Sequence, residues 1–324
     1  MRDTLIAAIL EFLGDQDLLS ADDVRRALER EIDAAGDDAL LALRERLTED
    51  HGWGYYPPDP LARRVHHLLA ETFLNAASHV NGAEHLAALA TAPVVICGNH
   101  LSYADANVVE VLLHRSGGAS IADRLTAIAG PKVFTSRQRR FSSLCFGTIK
   151  VPQSAGVSSE EAVLRPREVA RAARQGIEAA RERLTAGDAL LLFGEGARSR
   201  TGAMQPMLAG VARYLETADA WLLPVGLTGT EALFPVGAAG IRPARVVMTV
   251  GRPIEGAALR ANAAHERRLV MDAVGVAVAE LLPPAYRGAY GESDRLGEAR
   301  RVLIGLRTPA AGAGGPPTGA GSSP

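Results

Sequence analysis

The chain runs to 324 residues, a length that suits two domains or one large domain with an appendage. Apolar residues make up 47% and charged residues 22%, which excludes collagen-like, wholly disordered and polytopic membrane chains. Lys and Arg total 35 against 37 Asp and Glu, a formal net charge of −2, so no global basic field points to nucleic acid and any anion site must be local.

The two cysteines, Cys97 and Cys145, both stand in apolar company. They suit a reducing compartment rather than a disulfide framework, which makes the cytoplasm the expected location. The first residues do not read as a signal peptide, because the apolar run 5–10 is broken by Glu11 and lacks a small-residue cleavage site. A spanning helix needs about 20 apolar residues, and no window supplies them. If the chain acts on lipid, the expected place is peripheral, on the inner membrane surface.

Residues 5–13, 21–35 and 39–47 have the apolar spacing of three short amphipathic helices, with Ser20 and Asp23 as a variant capping box for the second. The Gly- and Pro-rich stretch 51–60 then ends helical structure and reads as a linker between an N-terminal helical domain, 1–50, and an α/β domain, 61–285. Within the latter, 93–97, 125–129, 147–151, 189–193, 222–227 and 245–250 are apolar, β-rich runs. Helical patterns occupy 61–78, 106–113, 167–184, 205–216 and 263–282. Near-continuous apolar strands alternating with helices predict a mainly parallel central sheet flanked by helices. Residues 286–307 form a C-terminal extension, and the Ala, Gly, Pro and Ser tail 308–324 is expected to be disordered.

The first apolar strand runs into Gly98-Asn99-His100-Leu101-Ser102-Tyr103-Ala104-Asp105. Strand-to-helix turns of this kind are where open α/β sheets place ligands. A carboxylate in the first helical turn can accept the Nδ1 hydrogen of a histidine at the turn, leaving Nε2 free as a base. The alternative is a plain helix cap at Asp105. A second strand runs into Phe193-Gly194-Glu195-Gly196-Ala197-Arg198-Ser199-Arg200-Thr201-Gly202, where two arginines and three glycines fall within ten residues. Guanidinium forks beside exposed backbone amides suit phosphate; a solvated turn with its arginines on Glu195 is the alternative.

Together the two segments resemble the glycerolipid acyltransferase superfamily, which includes glycerol-3-phosphate and 1-acylglycerol-3-phosphate acyltransferases. Asn99-His100-Leu101-Ser102 with Asp105 is similar to its first motif, residues 193–200 to its third, and Leu223-Pro224-Val225 to its fourth. The second motif departs, with Gln153 where arginine is expected; Lys150 or one of Arg137, Arg139 and Arg140 would substitute. Residues 129–135 are similar to soluble plastid glycerol-3-phosphate acyltransferases. The Lys-His pair those enzymes carry after the second-motif strand is missing.

The resemblance implies a glycerol-3-phosphate acyltransferase-like fold. It also implies transfer of an acyl group from acyl-CoA or acyl-carrier protein to a hydroxyl of glycerol 3-phosphate or a lysophospholipid. His100 is the expected base and Asp105 its partner. Glu195, Gly196, Arg198, Ser199 and Arg200 would bind the substrate phosphate, with amides of 194–196 lining an oxyanion site. Accessory places go to Asn99, Ser102, Lys150 and Pro224. No metal or cofactor and no nucleic acid is expected.

Two rivals are a lipid-binding scaffold of the same fold and a lipid hydrolase with Ser102 as nucleophile. The basic run 137–140 and the helix at 61–78 are the expected contacts with an anionic membrane. His66 and His67 read as a surface pair on that helix rather than a metal site.

Overall fold

The computed structural model describes residues 2–3, 6–7, 21–50, 52–152, 165–216, 220–235 and 241–307. The helix expected at 5–13, Ser20 as a cap, Gln153 and the tail 308–324 lie largely or wholly outside these residues. Among the described residues nine strands form one sheet: β1 (Gly54–Tyr56), β2 (His79–Asn81), β3 (Val94–Gly98), β4 (Leu125–Ala129), β5 (Gly147–Lys150), β6 (Ala189–Phe193), β7 (Trp221–Thr228), β8 (Val247–Val250) and β9 (Ile254–Glu255). The longer helices are α1 (Ala21–Ala35), α2 (Asp37–Arg46), α3 (Pro60–Phe73), α4 (Asp105–Arg115), α5 (Arg137–Leu144), α6 (Pro166–Thr185), α7 (Arg267–Ala279) and α8 (Gly297–Arg307).

The strand order is β1-β5-β4-β6-β3-β7-β8-β2, with β9 beside β7. The block from β5 to β7 is parallel throughout, while β1, β8 and β9 pair antiparallel to their neighbours in it. The mainly parallel sheet flanked by helices expected from sequence is what forms. β3 is buried along its whole length because it lies between β6 and β7 and is covered on both faces. Val94 and Ile96 enter the core beneath α3 and α4, and Val95 and Cys97 enter the one beneath α6, α7 and α8. This is the strand alternation at work.

Three expected helices are shorter than their patterns. α3 stops at Phe73 because Leu74 turns extended to bridge Ala244, and His79–Asn81 then pairs with β8. Residues 205–216 yield only a 3-10 turn, Ala209–Leu215. The amides of Gln205, Met207 and Leu208 bond Glu195, the Tyr290 hydroxyl and the Gly194 carbonyl, and Leu208 itself is held extended at ψ 124°, so helical backbone begins only at Ala209. α7 begins at Arg267 because Ala264 and His265 adopt φ of 49° and 58°, outside the helical region.

Within the stretch read as a linker, Gly54–Tyr56 pairs with β5 as an edge strand of the main sheet. Asp59 then caps α3, accepting the amides of Leu61 and Ala62, with Pro60 at the first helical position.

Two further expectations are corrected. The apolar side of α3, with Leu61, Val65, Leu69 and Phe73, is buried in the core, so this helix cannot lay that face on a membrane. His66 and His67 are not a surface pair. Their Nε2 atoms stand 3.3 and 2.9 Å from the Glu110 carboxylate, which has no exposure and also takes Arg63 at 2.8 Å. Burial alone would raise the Glu110 pKa, but its bonds to His66 and His67 outweigh that and hold it well below the ordinary carboxylate range. The signal was an acidic residue in an otherwise apolar run, Val108–Leu113, which must find counter-charges if that run is buried.

Candidate active site

β3 and β6 are neighbours, so the turns that follow them leave the same end of the sheet side by side. Gly98 closes β3 where a Cβ would sit 3.2 Å from the Val225 carbonyl oxygen. Beyond it the backbone of His100 joins both motifs. Its N–H donates to Glu195 Oε1 at 2.8 Å, and its carbonyl accepts the Ser199 N–H at 2.7 Å.

The His100 ring lies 4.3 Å from the Phe193 ring at an interplanar angle of 10°. Its Nδ1 stands 2.7 Å from Asp105 Oδ2, and that same oxygen accepts the amides of Leu101 at 2.6 Å and Ser102 at 2.9 Å. Asp105 has no exposure. An ionised carboxylate only accepts, so Nδ1 carries the hydrogen and Nε2 keeps its lone pair. The arrangement can take up a proton at Nε2 and stabilise the resulting imidazolium. Asp105 therefore both bonds the turn's amides, as a cap would, and holds the imidazole.

Ser102 is fully buried, and its hydroxyl accepts the Ala104 amide at 3.1 Å and donates to the Phe234 carbonyl at 3.5 Å. Asn99 is fully buried as well and is bound to β7.

In the second turn Glu195 is buried, and its other oxygen accepts the Gln205 amide at 2.6 Å. Burial pushes this carboxyl up to about 7; the two amides pull it down and the nearby Asp105 charge adds to the rise. Gly196 has a φ of 71°, and a Cβ there would sit 2.5 Å from the Leu208 side chain, so the turn needs glycine at this point. The Ser199 hydroxyl donates to the Ala203 carbonyl at 2.8 Å. Glu195 and Ser199 thus shape the turn with the atoms they have. Arg198 lays its guanidinium 3.5 Å from the Tyr103 ring centroid, and Arg200 is exposed.

Of the three amides expected to line an oxyanion site, that of Gly196 donates to the Phe193 carbonyl and that of Gly194 turns to the Cys97 thiol. Burial pushes Cys97 up to about 12, so it is not a thiolate nucleophile.

The four candidates for the missing second-motif arginine separate cleanly. Lys150 is almost buried, with its ammonium 2.9 Å from Asp50 and over the rings of Phe134 and Trp53. Arg140 is 3% exposed between Tyr56 and Phe134, so the basic run is not a solvated loop and cannot serve whole as a membrane contact. Arg137 is exposed at the start of α5. Arg139 alone of the four reaches the His100 turn, 4.5 Å from the Tyr103 centroid.

Pro224 lies where β7 changes partner from β9 to β8. Its carbonyl accepts from Gly251 on that side, so the missing N–H faces a gap in the ladder. Tyr103 was missed by sequence reasoning. The signal available was an aromatic residue inside the His100 turn in a chain that brings several arginines nearby.

Residues 77–228 match the family model described as Acyltransferase. A comparison with curated proteins finds no match. Among solved structures the chain is similar to the 1-acyl-sn-glycerophosphate acyltransferase PlsC from Thermotoga maritima, at 19% identity and a TM-score of 0.46, covering 87% of this chain and 98% of that one. Both motif turns and Pro224 fall inside the matched span 77–228, the part of the chain that is similar to the acyltransferase family.

Proposed function

We propose that this chain moves an acyl group from a thioester, acyl-CoA or acyl-carrier protein, to a hydroxyl of glycerol 3-phosphate or 1-acylglycerol 3-phosphate. The observation that carries the reading is the His100–Asp105 pair, 2.7 Å apart, with the Arg198 guanidinium on the same turn's Tyr103. Nε2 takes the hydroxyl proton as the oxygen attacks the thioester carbonyl. Collapse of the tetrahedral intermediate breaks the C–S bond, and the proton passes to the departing sulfur, giving ester and free thiol. The Asp105 carboxylate stabilises the imidazolium between these steps. Arg198 and Arg200 fix the acceptor through its phosphate, so that positioning supplies part of the rate.

The burial of the Ser102 hydroxyl, already bonded to Phe234 and Ala104, disfavours a serine-hydrolase reading. No described helix is long and apolar enough to cross a membrane. A lysolipid acceptor would be met at the membrane surface, whereas glycerol 3-phosphate would arrive from solution.

The test crosses acyl-CoA and acyl-carrier protein with glycerol 3-phosphate and 1-acylglycerol 3-phosphate, following thiol release and ester formation together. Ester formation with one phosphorylated acceptor, and no acyl-enzyme trapped by hydroxylamine, is expected. Thiol release without ester would give the reading to a hydrolase, and neither product would leave a scaffold.

A further inference from the structure

Resting on the acceptor reading above, we propose that Arg139 and Tyr103 complete the acceptor's phosphate site. The Tyr103 ring is a shared platform for the guanidiniums of Arg139 and Arg198, which together take a phosphate monoester beside His100. The two arginines come from different parts of the chain, α5 and the turn after β6, yet both lie within 4.5 Å of one ring centroid. A guanidinium over an aromatic face is held by the ring quadrupole and keeps its in-plane N–H groups for a ligand.

Those groups are little used within the protein. One nitrogen of Arg139 reaches the Lys132 carbonyl at 3.3 Å and the Thr135 hydroxyl at 3.5 Å. Among the described residues neither Arg139 nor Arg198 has a carboxylate partner. Two like charges beside one ring repel, and a phosphate dianion, whose oxygens two forks can share, offsets that repulsion.

The place is right for an acceptor. Tyr103 follows His100 by three residues in the same turn, and the Ser199 amide that follows Arg198 is bonded to the His100 carbonyl. A phosphate on this platform therefore sits within a short glycerol unit's reach of the imidazole. Of the other cations that could fill the second-motif role, Lys150 is held by Asp50, Arg140 is buried between two aromatic rings, and Arg137 is exposed at the start of α5. The cationic arm that the second motif lacks is accordingly supplied by α5.

The experiment uses the full chain and four variants, Arg139→Gln, Arg139→Lys, Tyr103→Phe and Tyr103→Leu. Turnover gives KM for glycerol 3-phosphate, for 1-acylglycerol 3-phosphate and for acyl-CoA. Calorimetric titration with each phosphate monoester, donor omitted, gives affinity without turnover. Arg139→Gln is expected to raise the KM of the preferred acceptor roughly 10-fold or more and to weaken its binding by the same factor. Its kcat and acyl-CoA KM stay within about twofold. Arg139→Lys keeps the charge without the fork and falls between. Tyr103→Phe keeps the platform and behaves as wild type, while Tyr103→Leu follows Arg139→Gln part of the way.

Unchanged acceptor KM and affinity in Arg139→Gln overturn the proposal, and a loss confined to acyl-CoA overturns it in favour of the donor's phosphates. If wild type acylates neither acceptor, the functional reading fails. Monoester binding that still depends on Arg139 then upholds the phosphate site, and binding that ignores Arg139, or no binding, overturns it too.

Discussion

Asn99 and Leu227 exchange two hydrogen bonds across the centre of the sheet: the Asn99 amide donates to the Leu227 carbonyl at 2.9 Å, and the Leu227 N–H donates to the Asn99 carbonyl oxygen at 2.7 Å. The β3–β7 ladder ends at Gly98 and Val225, so this side chain continues the pairing where the backbone turns away toward His100. Asn99→Ala leaves both Leu227 groups unpaired in a fully buried place, and a loss of roughly 2–4 kcal/mol is expected. Asn99→Asp keeps the acceptor but sets a carboxylate against a carbonyl oxygen, and should fare no better. Urea unfolding midpoints check this. A wild-type midpoint in Asn99→Ala would show that the pair does not hold the turn.

The strands and the two motif turns were legible in the sequence because each is a local signal, an apolar run followed by glycine and polar residues. What brings them together was not. β3 and β6 are adjacent only through a strand order that no local pattern encodes. Lys150 reads as a free cation until Asp50, one hundred residues earlier, is placed beside it. The 3-10 turn at Ala209–Leu215 reads as a helix until Glu195 and Tyr290 claim the preceding amides. In each case a long-range hydrogen bond or ion pair overrode local propensity.

His100→Ala is expected to abolish transfer with the fold kept, because the ring is partly exposed and stacks on Phe193 at the surface end of the sheet rather than within the core. Asp105→Asn is the sharper test. An amide oxygen in the place of Oδ2 can still accept from Leu101 and Ser102, while the unpartnered Oδ1 position takes the NH2. The turn is then kept and the charge behind the imidazole is lost, which should lower kcat on the order of 10²–10⁴-fold with acceptor KM little changed. Steady-state kinetics and a circular dichroism spectrum on each variant decide it. Near-wild-type turnover in His100→Ala would refute the base assignment.

Glu195 carries a pH signature. Burial raises its pKa to about 7, so the folded state holds this proton more tightly than the unfolded chain does. Stability from this group is full below the ordinary carboxyl range and is lost as pH rises through about 7. Glu195→Gln removes that dependence. It also costs about 1–3 kcal/mol, since an amide accepts from only one of the His100 and Gln205 N–H groups. The gap between wild type and variant should therefore narrow from pH 5 to pH 8, read from urea midpoints at both. A constant gap would mean that Glu195 titrates the same folded and unfolded.

The Lys150–Asp50 pair ties the segment after α2 to the end of β5, and its two ends are unequal: the Lys150 side chain is 9% exposed and that of Asp50 63%. The ammonium beside it holds Asp50 down at about 2, helped by the Gly52 amide and the Tyr56 hydroxyl. Stability from Asp50 is thus present above the ordinary carboxyl range and lost as pH falls through about 2. Asp50→Asn should lower the unfolding midpoint at pH 7 and converge on wild type as the pH falls below 4. Lys150→Met should cost less at pH 7, because it removes the nearly buried charge that Asp50→Asn strands over Phe134 and Trp53. Neither change should move the acceptor KM beyond about twofold. A large KM effect in Lys150→Met would return Lys150 to the phosphate site and show that its bond to Asp50 opens during turnover.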